Sequence, residues 1–158
     1  YQQIDLGYNY RITDIHAALG LSQMKRLDEF VSKRHEIAIK YDEAFHESFI
    51  ITPVQHPEIY SAFHLYIIRV NTVLKGVNHL QTFEKLRTAG ILVNLHYIPV
   101  YRQPYYERMG LYNKKDFPEA ESYYSQAISI PMHTMLTDQE QIFVIDQILN
   151  PIGHQNLF

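Results

Sequence analysis

Three short stretches carry residue types and spacings that could do chemistry. Gly7-Tyr8-Asn9-Tyr10-Arg11 stands just before Thr13, a residue suited to cap a helix. A helix N-terminus offers free N–H groups and a positive dipole end. Asn9 adds an amide and Arg11 a planar fork of donors, so the set could hold an anion such as phosphate. The same residues also fit an ordinary polar helix entry with Arg11 in solvent. His96-Tyr97-Ile98-Pro99-Val100-Tyr101-Arg102-Gln103-Pro104-Tyr105-Tyr106 follows a predicted strand. Ligands often bind on loops at strand ends, and rings with OH or N–H tips suit a sugar or a base. The two prolines equally allow a stiff loop whose tyrosines plug the core. Ser129-Ile130-Pro131-Met132-His133 ends another strand, and His133 is either a group titrating near neutrality or a satisfied structural histidine.

Other chemistries lack their residues. The nine histidines show neither H-E-x-x-H nor H-x3–5-H spacing, which argues against zinc. Ser22 lies in Gly20-Leu21-Ser22-Gln23-Met24, which lacks the second glycine of a nucleophile elbow. Asp28 with Glu29, and Glu119 with Glu121, fall on predicted exposed helix faces and read as solubilising charges. A Schiff base needs a lysine in a dry pocket. Lys25, Lys33, Lys40 and Lys85 lie on predicted helices and Lys75, Lys114 and Lys115 in loops, so none is a good candidate. No glycine-rich phosphate loop is present.

The elements that must position these stretches follow from periodicity and caps. Residues 13–48 predict helix, with Leu27, Phe30, Val31, Ile37, Ala38, Tyr41 and Phe45 as one apolar stripe and a break or bend at Gly20. Residues 49–52 and 62–70 predict strands. Asn78, with Gln81 three residues on, predicts a capped helix closed by Gly90, its inner face Leu80, Phe83 and Leu86. Residues 91–97 predict a strand, and Asp116-Phe117-Pro118-Glu119 a capping box opening a helix to about residue 127. A brief strand at 128–130 precedes a second box, Thr137 with Glu140, and a final helix to about Leu149. The result is an α/β (α+β) fold: a small sheet with helices against one face, and a long N-terminal helix whose outward side needs cover.

Composition agrees with one globular domain. The chain has 158 residues, 46% hydrophobic and 20% charged, with net charge −3. No basic run supports nucleic acid or a charged membrane surface, and no stretch of about 18 apolar residues supports a membrane span. The absence of cysteine removes disulfides and thiol chemistry and fits a reducing cytoplasm. The opening Tyr1-Gln2-Gln3-Ile4-Asp5-Leu6 has no signal-peptide pattern, and the expectation is an excerpt of a larger protein.

Leu6-Gly7-Tyr8-Asn9-Tyr10-Arg11-Ile12-Thr13-Asp14-Ile15-His16-Ala17-Ala18-Leu19-Gly20-Leu21-Ser22-Gln23 resembles a signature of the DegT/DnrJ/EryC1/StrS sugar aminotransferases, of pyridoxal-phosphate fold type I. Arg34 and Tyr41, Gly90-Ile91, His96-Tyr97-Ile98-Pro99-Val100-Tyr101 and Ala127-Ile128-Ser129-Ile130-Pro131-Met132-His133 extend the likeness in order. The spelling of the first two stretches is most similar to the UDP-4-amino-4,6-dideoxy-N-acetyl-β-L-altrosamine transaminase branch, of pseudaminic acid synthesis.

The resemblance implies a pyridoxal 5′-phosphate enzyme in which glutamate gives up its amino group, leaves as 2-oxoglutarate, and a 4-keto-6-deoxy UDP-sugar receives the group. It implies a homodimer with shared active sites. Asn9 would bind the neighbour's cofactor phosphate; Tyr10, Arg11, His96, Tyr97 and Tyr101 would serve the substrate. The family's catalytic lysine, the aspartate on the pyridine nitrogen and the ring-stacking aromatic precede Gly7 in family order. Residues 1–48 would then be active-site loop and connecting helix, and 49–158 the C-terminal small domain. The expectation is that these residues alone do not transaminate. Family members with a histidine in place of the lysine keep a dehydratase reading open. A regulatory protein with a degenerate transferase fold and a non-catalytic α/β module for dimerisation or ligand binding are the other readings.

Overall fold

The computed structural model describes residue 8 and residues 10–71 and 78–150. Two helices open it, α1 (Asp14–Met24) and α2 (Leu27–Phe45). Thr13 Oγ1 accepts the His16 amide at 3.3 Å, the cap expected of a threonine there. The break falls at Lys25 and Arg26, five residues beyond Gly20, which is helical. A glycine inside a helix costs only ~1 kcal/mol relative to alanine, too little to end a run that continues through Leu21 and Met24. On α2 the apolar stripe is fully buried at Ile37, Ala38, Tyr41 and Phe45, while Leu27 at its start stays exposed.

Three antiparallel strands follow in the order β1 (Ile50–Ile51), β2 (Tyr66–Val70) and β3 (Ala127–Ile130). The register pairs Ile50 with Val70 and Tyr66 with Ile130. β2 alternates as a half-covered strand should: Tyr66, Ile68 and Val70 are buried, whereas Ile67 and Arg69 are half-buried on the other face beside Tyr123. Only the second half of the predicted 62–70 strand forms. Phe63 takes φ +43°, and the Arg34 Nη1 donates to the Ala62 and Phe63 carbonyls at 3.4 and 3.5 Å, so the chain turns before it can extend.

α3 (His79–Thr88) starts at Asn78, whose Oδ1 accepts the Gln81 amide at 3.1 Å, and ends at Gly90 with φ +83°. Leu86 is buried and Phe83 half-buried, but Leu80 points outward. α4 (Pro104–Glu107), α5 (Pro118–Tyr124) and α6 (Asp138–Leu149) complete the chain. The Thr137–Glu140 box is formed in both directions. The box expected at Asp116 is displaced: the Asp116 carboxylate accepts the Asn113 amide at 2.9 Å, one 3₁₀ turn earlier, and Phe117 opens α5 without a side-chain cap.

Residues 91–97 do not form the predicted strand. The Val93 amide donates to the Ile91 carbonyl at 2.9 Å, closing a turn and taking the Val93 N–H out of any ladder. What survives is one bridge, Asn94 opposite Ser129.

Helices α2, α3 and α6 cover one sheet face. Gln141, buried on α6, donates to the Ile37 carbonyl of α2 at 2.8 Å, and Lys40 reaches Asp138 at 2.7 Å, holding that carboxyl below its ordinary range. Tyr66 donates to Asp42 at 2.5 Å and Tyr41 to the Pro131 carbonyl at 3.0 Å, so both core phenols are satisfied. Burial pushes both phenol pKa values far up. Among the described residues no helix is long and apolar enough to cross a membrane.

Ile68 is fully buried at the centre of this core. Ile68→Ala is expected to cost about 3 kcal/mol by urea denaturation, whereas Arg26→Ala, which removes an exposed ion pair with Glu29, costs about 0.5 kcal/mol or less.

Candidate functional site

The loop after α3 is built outward from β3. Ile91 and Val93 are buried and carry the chain along the sheet edge. Asn94 and Ser129 exchange backbone hydrogen bonds at 2.8 and 3.2 Å. The Ser129 hydroxyl, on a residue only 5% exposed, lies 2.6 Å from His96 Nδ1. A buried hydroxyl needs a partner, and the imidazole supplies it, so β3 fixes the His96 ring. The His96–Tyr97 peptide is cis, and the Tyr97 ring meets the His96 ring edge-on at 4.5 Å. Tyr97 itself is 72% exposed, and Ile98 and Val100 beside it are also exposed.

The far end of the loop is held by α5. Residues 100–102 form a 3₁₀ turn in which the Arg102 amide donates to Pro99. Tyr101 donates its hydroxyl to Glu121 Oε1 at 2.8 Å. Arg102 Nε donates to the same oxygen at 2.8 Å, and its Nη2 to Oε2. The Tyr101 ring stacks on Phe117 at 4.5 Å, and the Arg102 guanidinium lies 5.0 Å from the Tyr124 ring centre. The Arg102 hydrogen bond, first of all, holds the Glu121 carboxyl below its ordinary range. Desolvation and the Glu121 bond push the Tyr101 phenol up. Glu121 is therefore a structural anchor, not the solubilising charge its helical position predicts. No local signal marks it, since its partners lie 19 and 20 residues away.

The other stretch stands at the foot of α1. Tyr8 and Tyr10 stack at 5.7 Å, and Tyr10 is 92% exposed. Arg11 is exposed and has no side-chain partner among the described residues. Asn9 lies outside the described residues. Among the described residues no hydrogen bond or ring contact joins Tyr10 or Arg11 to His96, Tyr97 or Tyr101. The structure thus keeps His96, Tyr97 and Tyr101 on one loop, ties His96 to the third stretch through Ser129, and leaves the first stretch apart. His133 is exposed and lines an open groove of about 370 Å³ with Leu92, Glu140 and Phe143.

Three of the lysines are engaged. Lys33 pairs with Glu36 at 3.0 Å and Lys40 with Asp138. Lys85, its ammonium pKa lowered by burial, donates to the α6 carbonyls of Gln147 at 2.8 Å and Asn150. Among the described residues no group of three histidine or carboxylate side chains could hold a metal ion.

Comparison with known proteins gives the context. The family profile of the DegT/DnrJ/EryC1/StrS aminotransferases matches residues 1–149. Spore coat polysaccharide biosynthesis protein SpsC of Bacillus subtilis is 35% identical over 150 residues, 94% of this chain and 39% of SpsC. The UDP-4-amino-4,6-dideoxy-N-acetyl-beta-L-altrosamine transaminase of Campylobacter jejuni is 33% identical over 148 residues, 93% of this chain and 39% of that protein. Spr1654 of Streptococcus pneumoniae, solved in its PLP-form, superposes with TM-score 0.80 at 31% identity, covering 89% of this chain and 36% of Spr1654. The chain spans about 39% of the length of these curated relatives.

A carboxyl whose folded pKa is depressed contributes stability above its unfolded pKa and loses it as pH falls through the folded value. The Glu121 anchor is thus expected to stay closed at neutral and mildly acidic pH and to open only below the ordinary carboxylate range. A carboxyl ¹³C titration of Glu121 reads this directly; a midpoint at or above that of a free glutamate side chain would mean the anchor is open in solution.

Proposed function

The chain belongs to the DegT/DnrJ/EryC1/StrS aminotransferase family, and from that membership we propose that it is the C-terminal part of a pyridoxal 5′-phosphate-dependent nucleotide-sugar aminotransferase. The parent enzyme moves the amino group of glutamate to a 4-keto-6-deoxy UDP-sugar, in a pseudaminic acid-type pathway. The observation that carries this reading is the unbroken family match across residues 1–149, which runs through both loops and every element between them. Similarity to the Campylobacter transaminase supports the sugar class.

The donor set at the foot of α1 fits one end of the cofactor. Arg11 is an exposed fork suited to a phosphate, without a side-chain partner among the described residues, and the first-turn amides of Asp14 and Ile15 have no acceptor within the helix. Asn9 and Arg11 would hold the phosphate. Lys33, Lys40 and Lys85 are engaged and Lys25, Lys114 and Lys115 exposed, so no lysine among the described residues sits in the dry pocket an aldehyde link needs, and the reading places that amine elsewhere in the parent. When bound, the cofactor supplies the electron sink for amino-group transfer. This chain binds and orients. His96, fixed by Ser129, and the exposed Tyr97 offer an imidazole edge and a phenol to the sugar, with Tyr10 and Tyr101 completing the substrate side.

On this reading residues 1–48 are active-site loop and connecting helix and residues 49–158 the small domain. The partner is a second copy, with active sites shared between the two and the parent working in the cytoplasm. Support comes from α1, whose Ile15, Leu19, Leu21 and Met24 are all exposed and which has no buried residue. A non-catalytic dimerisation or ligand-binding module is the second reading, favoured by the engagement of Lys33, Lys40 and Lys85 in structural bonds.

Two measurements test the proposal. The parent enzyme is expected to release 2-oxoglutarate from glutamate only when loaded with pyridoxal 5′-phosphate, and to aminate the UDP-sugar. The 158-residue chain alone, incubated with pyridoxal 5′-phosphate and reduced with borohydride, is expected to show no pyridoxyl-lysine by mass spectrometry; a stoichiometric adduct would overturn its role as a non-linking part.

A further inference from the structure

The loop between His96 and Arg102 is pinned at both ends to one continuous piece of chain. Its first anchor is Ser129 on β3 and its second is Glu121 on α5. Only Ser125 and Gln126 separate α5 from β3, and β3 is buried along its whole length, so the two anchors move as one body. The second anchor is specific in shape. Two of the three donors on Glu121 belong to one planar guanidinium, which fixes direction as well as distance. Both side chains of the ion pair are mostly buried, at 27% and 22% exposure, unlike the open surface pairs Arg26–Glu29 and Lys33–Glu36.

Between the anchors the side chains do not serve the core. Tyr97, Ile98 and Val100 are exposed, at 72%, 45% and 63%. A segment held this firmly, in which the Tyr97 ring meets the ring of its neighbour His96 and Tyr97, Ile98 and Val100 face solvent, is built to present them. Its charge narrows what it presents them to. Arg102 is the sole permanent cation between His96 and Gln103, and Glu121 neutralises it. The presented surface is therefore a phenol and apolar groups with no free positive charge. Such a surface suits the neutral ring of a sugar or base and offers nothing to the two carboxylates of glutamate.

We propose that Glu121 and Arg102 are positioning residues that set the Tyr97–Val100 segment for the neutral ring of the nucleotide-sugar substrate, and that they act on the sugar half of the reaction and not on the glutamate half. This rests on the aminotransferase reading and assigns it a division of labour. Neither residue touches the reacting atoms. Both act through the loop they hold.

The test uses the parent enzyme loaded with pyridoxal 5′-phosphate, with each half-reaction measured separately. Glu121→Gln keeps the shape of the side chain and removes its charge, and Arg102→Lys keeps the charge and removes the fork. Glu121→Gln is expected to raise KM for the UDP-sugar about tenfold with kcat little changed, as loss of binding geometry does. Arg102→Lys is expected to show a smaller rise in the same KM. In both variants 2-oxoglutarate release from glutamate stays within about twofold of wild type, a split that general destabilisation does not give. Should Glu121→Gln fail to fold, Arg102→Lys reads the same split. Equal losses in both half-reactions, or an unchanged KM for the sugar, overturn the positioning role while leaving the enzyme an aminotransferase. A wild-type parent that releases no 2-oxoglutarate overturns the aminotransferase reading, and the positioning role with it.

Discussion

Ser129 meets three demands at once, and the arrangement of the loop depends on it. Its backbone pairs with Ile67 in the β2–β3 ladder. On the other side it exchanges both hydrogen bonds with Asn94, and its hydroxyl holds His96. A hydroxyl this deeply buried is costly without a partner. Satisfying Ser129 and orienting the His96 ring are therefore the same physical event. An alanine would suit the burial equally well and would leave the imidazole free to rotate, so the serine here is explained by the ring it holds and not by the sheet it sits in.

That bond also explains why a sheet of three short strands can support a shaped loop. β1 contributes two residues and β2 five, and only one face is covered by helices. The rigidity comes from β3, which is flanked by β2 and by residue 94, and from α5, which joins it through a two-residue link. The helices α2, α3 and α6 over the sheet are tied to one another by polar contacts with few degrees of freedom: Gln141 to the Ile37 carbonyl, and Lys85 across the C-terminus of α6. Lys85 does there what a C-terminal cation does for a helix dipole, which accounts for a lysine being partly buried without a carboxylate.

How much of this was legible in the sequence follows the range of the interaction. The caps at Thr13, Asn78 and Thr137 are three-residue events written locally, and they form as spelled. The buried half of α2 follows its 3.6 period. The misses divide: the cap displaced to Asn113 and the turn between Ile91 and Val93 are local, whereas the bonds that hold Glu121 are not. Gly20 looked like the break because glycine is a local signal, but α1 runs on to Met24 and the break falls at Lys25 and Arg26. Leu80 looked buried by spacing, but α3 presents Leu86 and Phe83 instead. Residues 91–97 alternate like a strand, and Ile91 and Val93 are indeed inside, yet a turn at Val93 and a single bridge replace the ladder. For the candidate site, both loops were legible as places, and the family resemblance supplied Asn9, Tyr10, Arg11, His96, Tyr97 and Tyr101 as residues. Glu121 was not legible, since a carboxylate on a short helix differs from a solvated one only through partners far away in sequence.

The two arginines flanking these loops have opposite circumstances, and the contrast organises the proposed function. Arg102 is spent internally, its fork closed on Glu121 and its plane lying over Tyr124. Arg11 stands beside the first-turn amides of α1 and is exposed, with no acid bound to it among the described residues. A solvent-facing guanidinium is available to an anion, whereas one closed on a carboxylate adds mainly shape. The proposed function assigns the two surfaces different ligands on that contrast: an anion at the foot of α1, an uncharged ring at the loop. On that reading a phosphate-bearing cofactor and a nucleotide sugar ask for the pair of surfaces, and the exposed apolar residues of α1 offer the face that the proposed second copy would cover.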